Sequence, residues 1–267
     1  MTASHIVCGS TLALLVVGSL ASAAVPSTMT PLAHIEANIR AEASSDETTR
    51  VTITLKNAQG KTQERVLHWR TVTLATGDKR SLLYFDRPKS IEGTGLLTHE
   101  NKNAEDERWL YLPALQKTRR ISGSDKSDTF MGTDFSYEDL VTEESENYDY
   151  AFGEVHECPT ACVAVVATPR TEKEKTESGY SKRVLILDSS THMVVSAEYY
   201  NKSGTHAKSF RASEFRAVKG EGAIRPFRME MTDLINQHST VMAFDAYQVD
   251  TGVPEDEISL RSLTQGH

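Results

Sequence analysis

Apolar residues recur at every second position through most of this chain, a period that only extended strands with a buried face satisfy. Val51, Ile53 and Leu55 alternate with Thr52, Thr54 and Lys56, and the run breaks at the turn sequence Asn57-Ala58-Gln59-Gly60. The same reading predicts strands over residues 65–76, 81–85, 94–100, 108–112, 117–122, 148–155, 162–168, 182–188, 192–201, 205–218, 224–233 and 239–247. Connections this short make successive strands antiparallel neighbours in a meander. One helix precedes them, because Leu32, Ile35 and Ile39 share a face of Pro31–Ala43 and Pro31 suits a first turn.

Three segments depart from strict alternation. Trp109-Leu110-Tyr111-Leu112, Val184-Leu185-Ile186-Leu187 and Met193-Val194-Val195 are apolar on both faces, so both faces of the sheet must be covered there. A curved sheet with helices or a lid over its concave side, enclosing an apolar cavity, meets that demand; a two-sheet sandwich meets it equally. The 267 residues allow one large β domain, and no linker or repeat divides them, which predicts a single domain over residues 24–267.

Residues 1–23 read as a signal peptide. No Lys, Arg, Asp or Glu occurs before Glu36, and the apolar run from Ile6 to Leu20 is short for a membrane span and ends at Ala21-Ser22-Ala23. Cys8 lies near the start of that run, with most of the apolar residues after it, and is not placed as a lipoprotein cysteine. Export leaves Cys158 and Cys162, whose three-residue spacing allows a disulfide in an oxidising compartment; free thiols are the alternative. The formal net charge of −8 speaks against nucleic acid as a partner.

Catalytic and cofactor motifs are absent from the sequence: there is no Gly-x-Ser-x-Gly, His-Glu-x-x-His, P-loop or dinucleotide fingerprint, and the histidines are scattered. The sequence therefore predicts no catalytic residues, no metal and no cofactor. Its densest stretch runs from Arg108 to Leu140, where about eighteen residues after Ser122 carry Gly123 and Gly132 beside Phe130, Met131, Phe135, Tyr137 and Leu140. Such a segment fits a lid over an apolar cavity, or a surface loop pinned by its own small cluster.

The blocks WLYLPALQKTRRIS and SDTFMGTDFSYEDL resemble the LolA-like outer-membrane lipoprotein-sorting family of periplasmic proteins, and weaker similarity continues to about Tyr247. The resemblance implies a mainly β fold, an open and strongly curved antiparallel half-barrel with helices and a lid over its concave apolar face. It also implies acyl chains of lipid or lipoprotein as ligand and, for this branch, companionship with RND-superfamily transporters. On that basis Trp109, Tyr111, Phe130, Met131, Phe135 and Tyr137 are candidates for lining the lipid cavity. Arg119 and Arg120 are candidates for a head group or a partner surface, since guanidinium suits phosphate and carboxylate. The expected protein is a non-enzymatic periplasmic carrier, with a transporter accessory that binds protein rather than lipid as the alternative.

Overall fold

The computed structural model describes residues 29–265 apart from 157, 159 and 220–222, so the signal segment and Cys8 lie outside the described residues. The predicted strands are present as β1 (Asp46–Lys56), β2 (Thr62–Thr73), β3 (Lys79–Arg87), β4 (Gly95–Glu100), β5 (Glu107–Leu112), β6 (Lys117–Ile121), β7 (Tyr148–Phe152), β8 (Cys162–Pro169), β9 (Tyr180–Asp188), β10 (Val194–Asn201), β11 (His206–Lys219), β12 (Ala223–Asp233) and β13 (His238–Val249). All thirteen pair antiparallel in a single sheet of order β6-β5-β4-β3-β2-β1-β13-β12-β11-β10-β9-β8-β7. The curved-sheet reading holds, and the two-sheet sandwich does not. β6 and β7 are the two sheet edges, so the half-barrel stays open.

The one pairing that is not between sequence neighbours joins the first strand to the last. β1 lies against β13 with Val51 opposite Phe244 and Glu47 opposite Val249. Alternation then sends Val51, Ile53, Leu67, Phe85, Leu187, Met231 and Phe244 into one core on the concave face. On the opposite face Val72, Leu82 and Leu97 pack against Ile258 and Leu263 of the C-terminal segment, which ends in helix α3 (Leu260–Gln265). That helix sits so close that a Cβ on Gly95 would lie 2.7 Å from Leu263 Cδ1, which explains a glycine inside β4.

Helix α1 covers residues Pro31–Ala41, two residues shorter than expected. Thr30 caps its start by accepting from the Ala33 amide at 3.2 Å. Its end is held by Arg225 of β12, which donates to the Glu42 carbonyl at 3.0 Å and to the Glu47 carboxylate at 2.9 Å. A cation at a helix C-terminus satisfies carbonyls that have no partner within the helix. A second short helix, α2 (Glu172–Glu177), lies between β8 and β9.

Candidate functional site

The segment between β6 and β7 folds into the concavity as a plug. It consists of single helical turns at Gly123–Asp125, Phe130–Gly132 and Tyr137–Leu140, with a bridge between Thr129 and Ser136 closing its tip. The Phe130 amide donates to the Phe135 carbonyl at 2.8 Å, and the Thr133 hydroxyl donates to the Phe130 carbonyl at 2.7 Å. Met131 and Gly132 both adopt positive φ, 49° and 73°, so the tip turns through left-handed backbone that favours the glycine. Its aromatic side chains point into the sheet. Phe130 is 0% exposed, stacks on Phe85 at 5.8 Å and meets the edge of Tyr137, while Phe135 packs edge-on against Phe210.

Polar contacts fasten the plug to both halves of the sheet. The Thr240 hydroxyl of β13 donates to the Asp134 carboxylate at 2.6 Å, and Lys208 of β11 donates to the Asp134 carbonyl at 2.7 Å. Burial raises the Asp134 pKa above the usual carboxylate value, and the Thr240 hydrogen bond offsets part of that. Further along, Lys79 of β3 donates to the Thr142 hydroxyl at 2.8 Å, and the Thr142 amide donates to Glu100 of β4 at 3.0 Å. On the other side Glu143 pairs with Arg183 of β9 and accepts from the Tyr150 hydroxyl of β7. Burial alone would lower the Arg183 pKa, but the Glu143 carboxylate outweighs it and holds the guanidinium charged. Lys126 meets Glu174 of α2 at 2.6 Å, so the plug spans the gap between the two sheet edges.

Beneath the plug a cavity of 240 Å³ remains. Trp69, Phe135, Leu140, Met229, Met242 and Phe244 supply its apolar wall, and Glu47, Lys79, Glu100 and Arg225 supply charged groups to the same lining. A much larger groove, 1440 Å³, lies on the opposite face of β9–β12. There Ser196, Arg211 and Glu230 alternate with the core residues Ala197, Phe210 and Met231. Its rim includes Cys158, which is disulfide-bonded to Cys162 with the two Cα atoms 6.2 Å apart.

The six residues expected to line a lipid cavity do not form one constellation. Phe130, Met131, Phe135 and Tyr137 lie with the concave core, and of these Phe135 lines the cavity. Trp109 and Tyr111 belong to the cluster under the C-terminal segment, on the far face of β5, while Leu110 between them faces the concave core. Arg119 and Arg120 are exposed on the edge strand β6 and are paired with Asp125 at 3.2 Å and Glu107 at 2.8 Å. The cavity residues that the sequence did not single out are Trp69, Met229, Met242 and Phe244. Their signal was the alternation Met229-x-Met231 and Met242-x-Phe244 on strands that prove to be neighbours. Among the described residues no cluster of His, Cys, Asp and Glu is suited to a metal ion, and no helix is long and apolar enough to cross a membrane.

A family model described as an uncharacterized protein matches residues 77–265. An outer membrane lipoprotein-sorting protein domain from Vibrio parahaemolyticus superposes with a TM-score of 0.79 at 28% identity, covering 86% of this chain and 96% of that one. A DUF1329 family protein from Desulfovibrio piger gives 0.79 at 26% identity over 88% of this chain and 100% of that one. The chain belongs to this family of uncharacterised proteins. The LolA superfamily protein NE2245 from Nitrosomonas europaea shares the fold at a TM-score of 0.66 and 16% identity, covering 88% of this chain and 100% of that one. No curated protein matches the sequence. The LolA-like fold and the disulfide fit an oxidising periplasmic setting.

Proposed function

We propose that the protein is a non-enzymatic periplasmic carrier for acyl chains of lipid or lipoprotein, acting in lipoprotein sorting or envelope lipid transport as a single domain of residues 24–267. The observation that carries this reading is the apolar-walled cavity between the concave sheet and the plug. At 240 Å³ it falls below the roughly 300–1000 Å³ of ordinary ligand pockets, so a chain enters by displacing plug aromatics rather than by filling empty space. Gain and cost are of the same order: ten buried methylenes contribute about 8 kcal/mol, and withdrawing two packed phenylalanines costs about 6–10 kcal/mol.

Native mass spectrometry and a hydrophobic extract of protein purified from its own envelope test the proposal. Stoichiometric acyl lipid is expected, together with an intact mass beginning at Ala24. Lipid-free protein that also fails to take up a fluorescent fatty-acyl probe would overturn the carrier. A second reading, an accessory of an RND-superfamily transporter that binds protein, draws on the outer groove of 1440 Å³, larger than the inner cavity. A lipid-free extract with a stoichiometric co-purified transporter subunit would favour it.

A further inference from the structure

Two large aliphatic side chains stand in solvent at the tip of the β12–β13 hairpin, Leu234 at 44% and Ile235 at 58% exposure. They are not on a loose loop. Asp233 accepts from the Ile235 and Asn236 amides, both at 2.8 Å, and from the Asn236 side chain at 2.8 Å, while the Leu234 amide donates to the Ala207 carbonyl at 2.8 Å. The tip is thereby built as a rigid turn that presents the pair outward, and its one acid is engaged by the turn's own donors. Hydrogen bonds to those amides also hold the Asp233 pKa low, although burial opposes them.

The neighbouring hairpin tips are basic. β13 pairs with β1 and β12 with β11, so the β1–β2 and β10–β11 turns flank this tip on the same end of the sheet. Lys56 and Lys61 stand at the first and Lys202 at the second, all exposed; Lys202 donates to the Lys175 carbonyl at 2.5 Å, and none of the three pairs with a carboxylate among the described residues. Lys56 lies directly opposite Ser239, the second residue of β13 after the hairpin turn. This local surplus of positive charge sits on a chain whose net charge is −8. Since fields between exposed charges decay over about 10 Å at ordinary ionic strength, the three lysines, set against Asp233 in the turn and Glu64 on β2, and not the distant acids decide what approaches this end, and their sum is positive.

We propose that this end of the sheet, Leu234 and Ile235 ringed by Lys56, Lys61 and Lys202, docks on an anionic lipid bilayer. An exposed aliphatic pair with cations around it matches the interface of such a bilayer, where apolar side chains enter the acyl boundary and ammonium groups remain at the phosphates. Each lysine near an anionic surface raises partitioning about fivefold. The inference is independent of what the concavity holds.

Co-sedimentation of the exported protein with phosphatidylcholine vesicles, with and without phosphatidylglycerol, tests it. Wild-type protein should sediment with the phosphatidylglycerol vesicles. Leu234→Ser combined with Ile235→Ser should weaken that partitioning at least about tenfold without shifting the melting temperature. Lys56→Gln, Lys61→Gln and Lys202→Gln together should abolish the preference for phosphatidylglycerol. Leu115→Ser, an exposed aliphatic at the β5–β6 turn on the same end of the sheet but six strands away from β12, should change partitioning far less than the Leu234 and Ile235 pair does. Wild-type protein that ignores the anionic vesicles, or aliphatic variants that bind like wild type, would overturn the proposal. So would variants that alter only the oligomeric state in size-exclusion chromatography, since the pair would then cover a second copy of the chain.

Discussion

Truncating Phe130 to alanine should destabilise the protein by about 3–5 kcal/mol. The ring is 0% exposed, is stacked 5.8 Å from Phe85 and meets Tyr137 edge-on at 5.8 Å, so removing it opens a void that three elements border. Loss of the two ring contacts accounts for about 1–3 kcal/mol of the total and the buried area and cavity for the rest. That sum is a large part of the about 5–15 kcal/mol by which domains are usually stable. Phe130→Asp should be worse, because it adds an unpaired buried carboxylate. Urea unfolding followed by circular dichroism measures the difference, with Leu115→Ala, at 63% exposure, as a variant expected to stay within about 0.5 kcal/mol of wild type. A Phe130→Ala loss below about 1 kcal/mol would show that the plug leaves the concavity at little cost and that its aromatics are not core residues.

Two further outcomes are expected. Arg225→Met should cost about 3 kcal/mol and raise amide exchange across α1, because it strips Glu47 and the helix end of their buried cation; unchanged exchange in α1 would refute the cap. Acidification should loosen α1 as well: burial first, and then the nearby His192 at 5.7 Å, hold the His34 pKa below its ordinary 6.5, so the unfolded chain takes up the proton first. Stability is then constant above that value and declines as pH falls below it, and equal α1 protection at about pH 7 and about pH 5 would contradict the assignment.

Period two located most strands because they are half buried, and the alternation survives even at β5, where both faces are apolar; the edge strands β6 and β7 are largely exposed. What period two does not carry is which face looks inward. Trp109-Leu110-Tyr111 reads the same in either orientation, and only the docking of Ile258 and Leu263 on the outer face decides that the two aromatics turn away from the concavity. The segment from Gly123 to Leu140 was legible as an aromatic-rich, glycine-hinged unit bound to the sheet. Its partners were not, since Thr240, Lys208 and Arg183 lie far along the chain and carry no local mark of the contact. The cavity wall was hidden for the same reason: Trp69 and Met242 become neighbours only through the β1–β13 pairing.

That pairing also orders the protein's birth. A chain that emerges amino terminus first completes β1 to β6 as consecutive hairpins while β1 still offers a bare edge, and the strand that covers it is the last one made. The sheet is therefore sealed near its middle rather than at its rim, by a contact that spans nearly the whole chain and carries the largest loop-closure cost in the molecule. Until that closure, an unpaired β1 edge beside half a concave core is the place where newly made chains would add to one another instead of to themselves. A premature stop before His238 leaves two separate ribbons, not a shortened half-barrel.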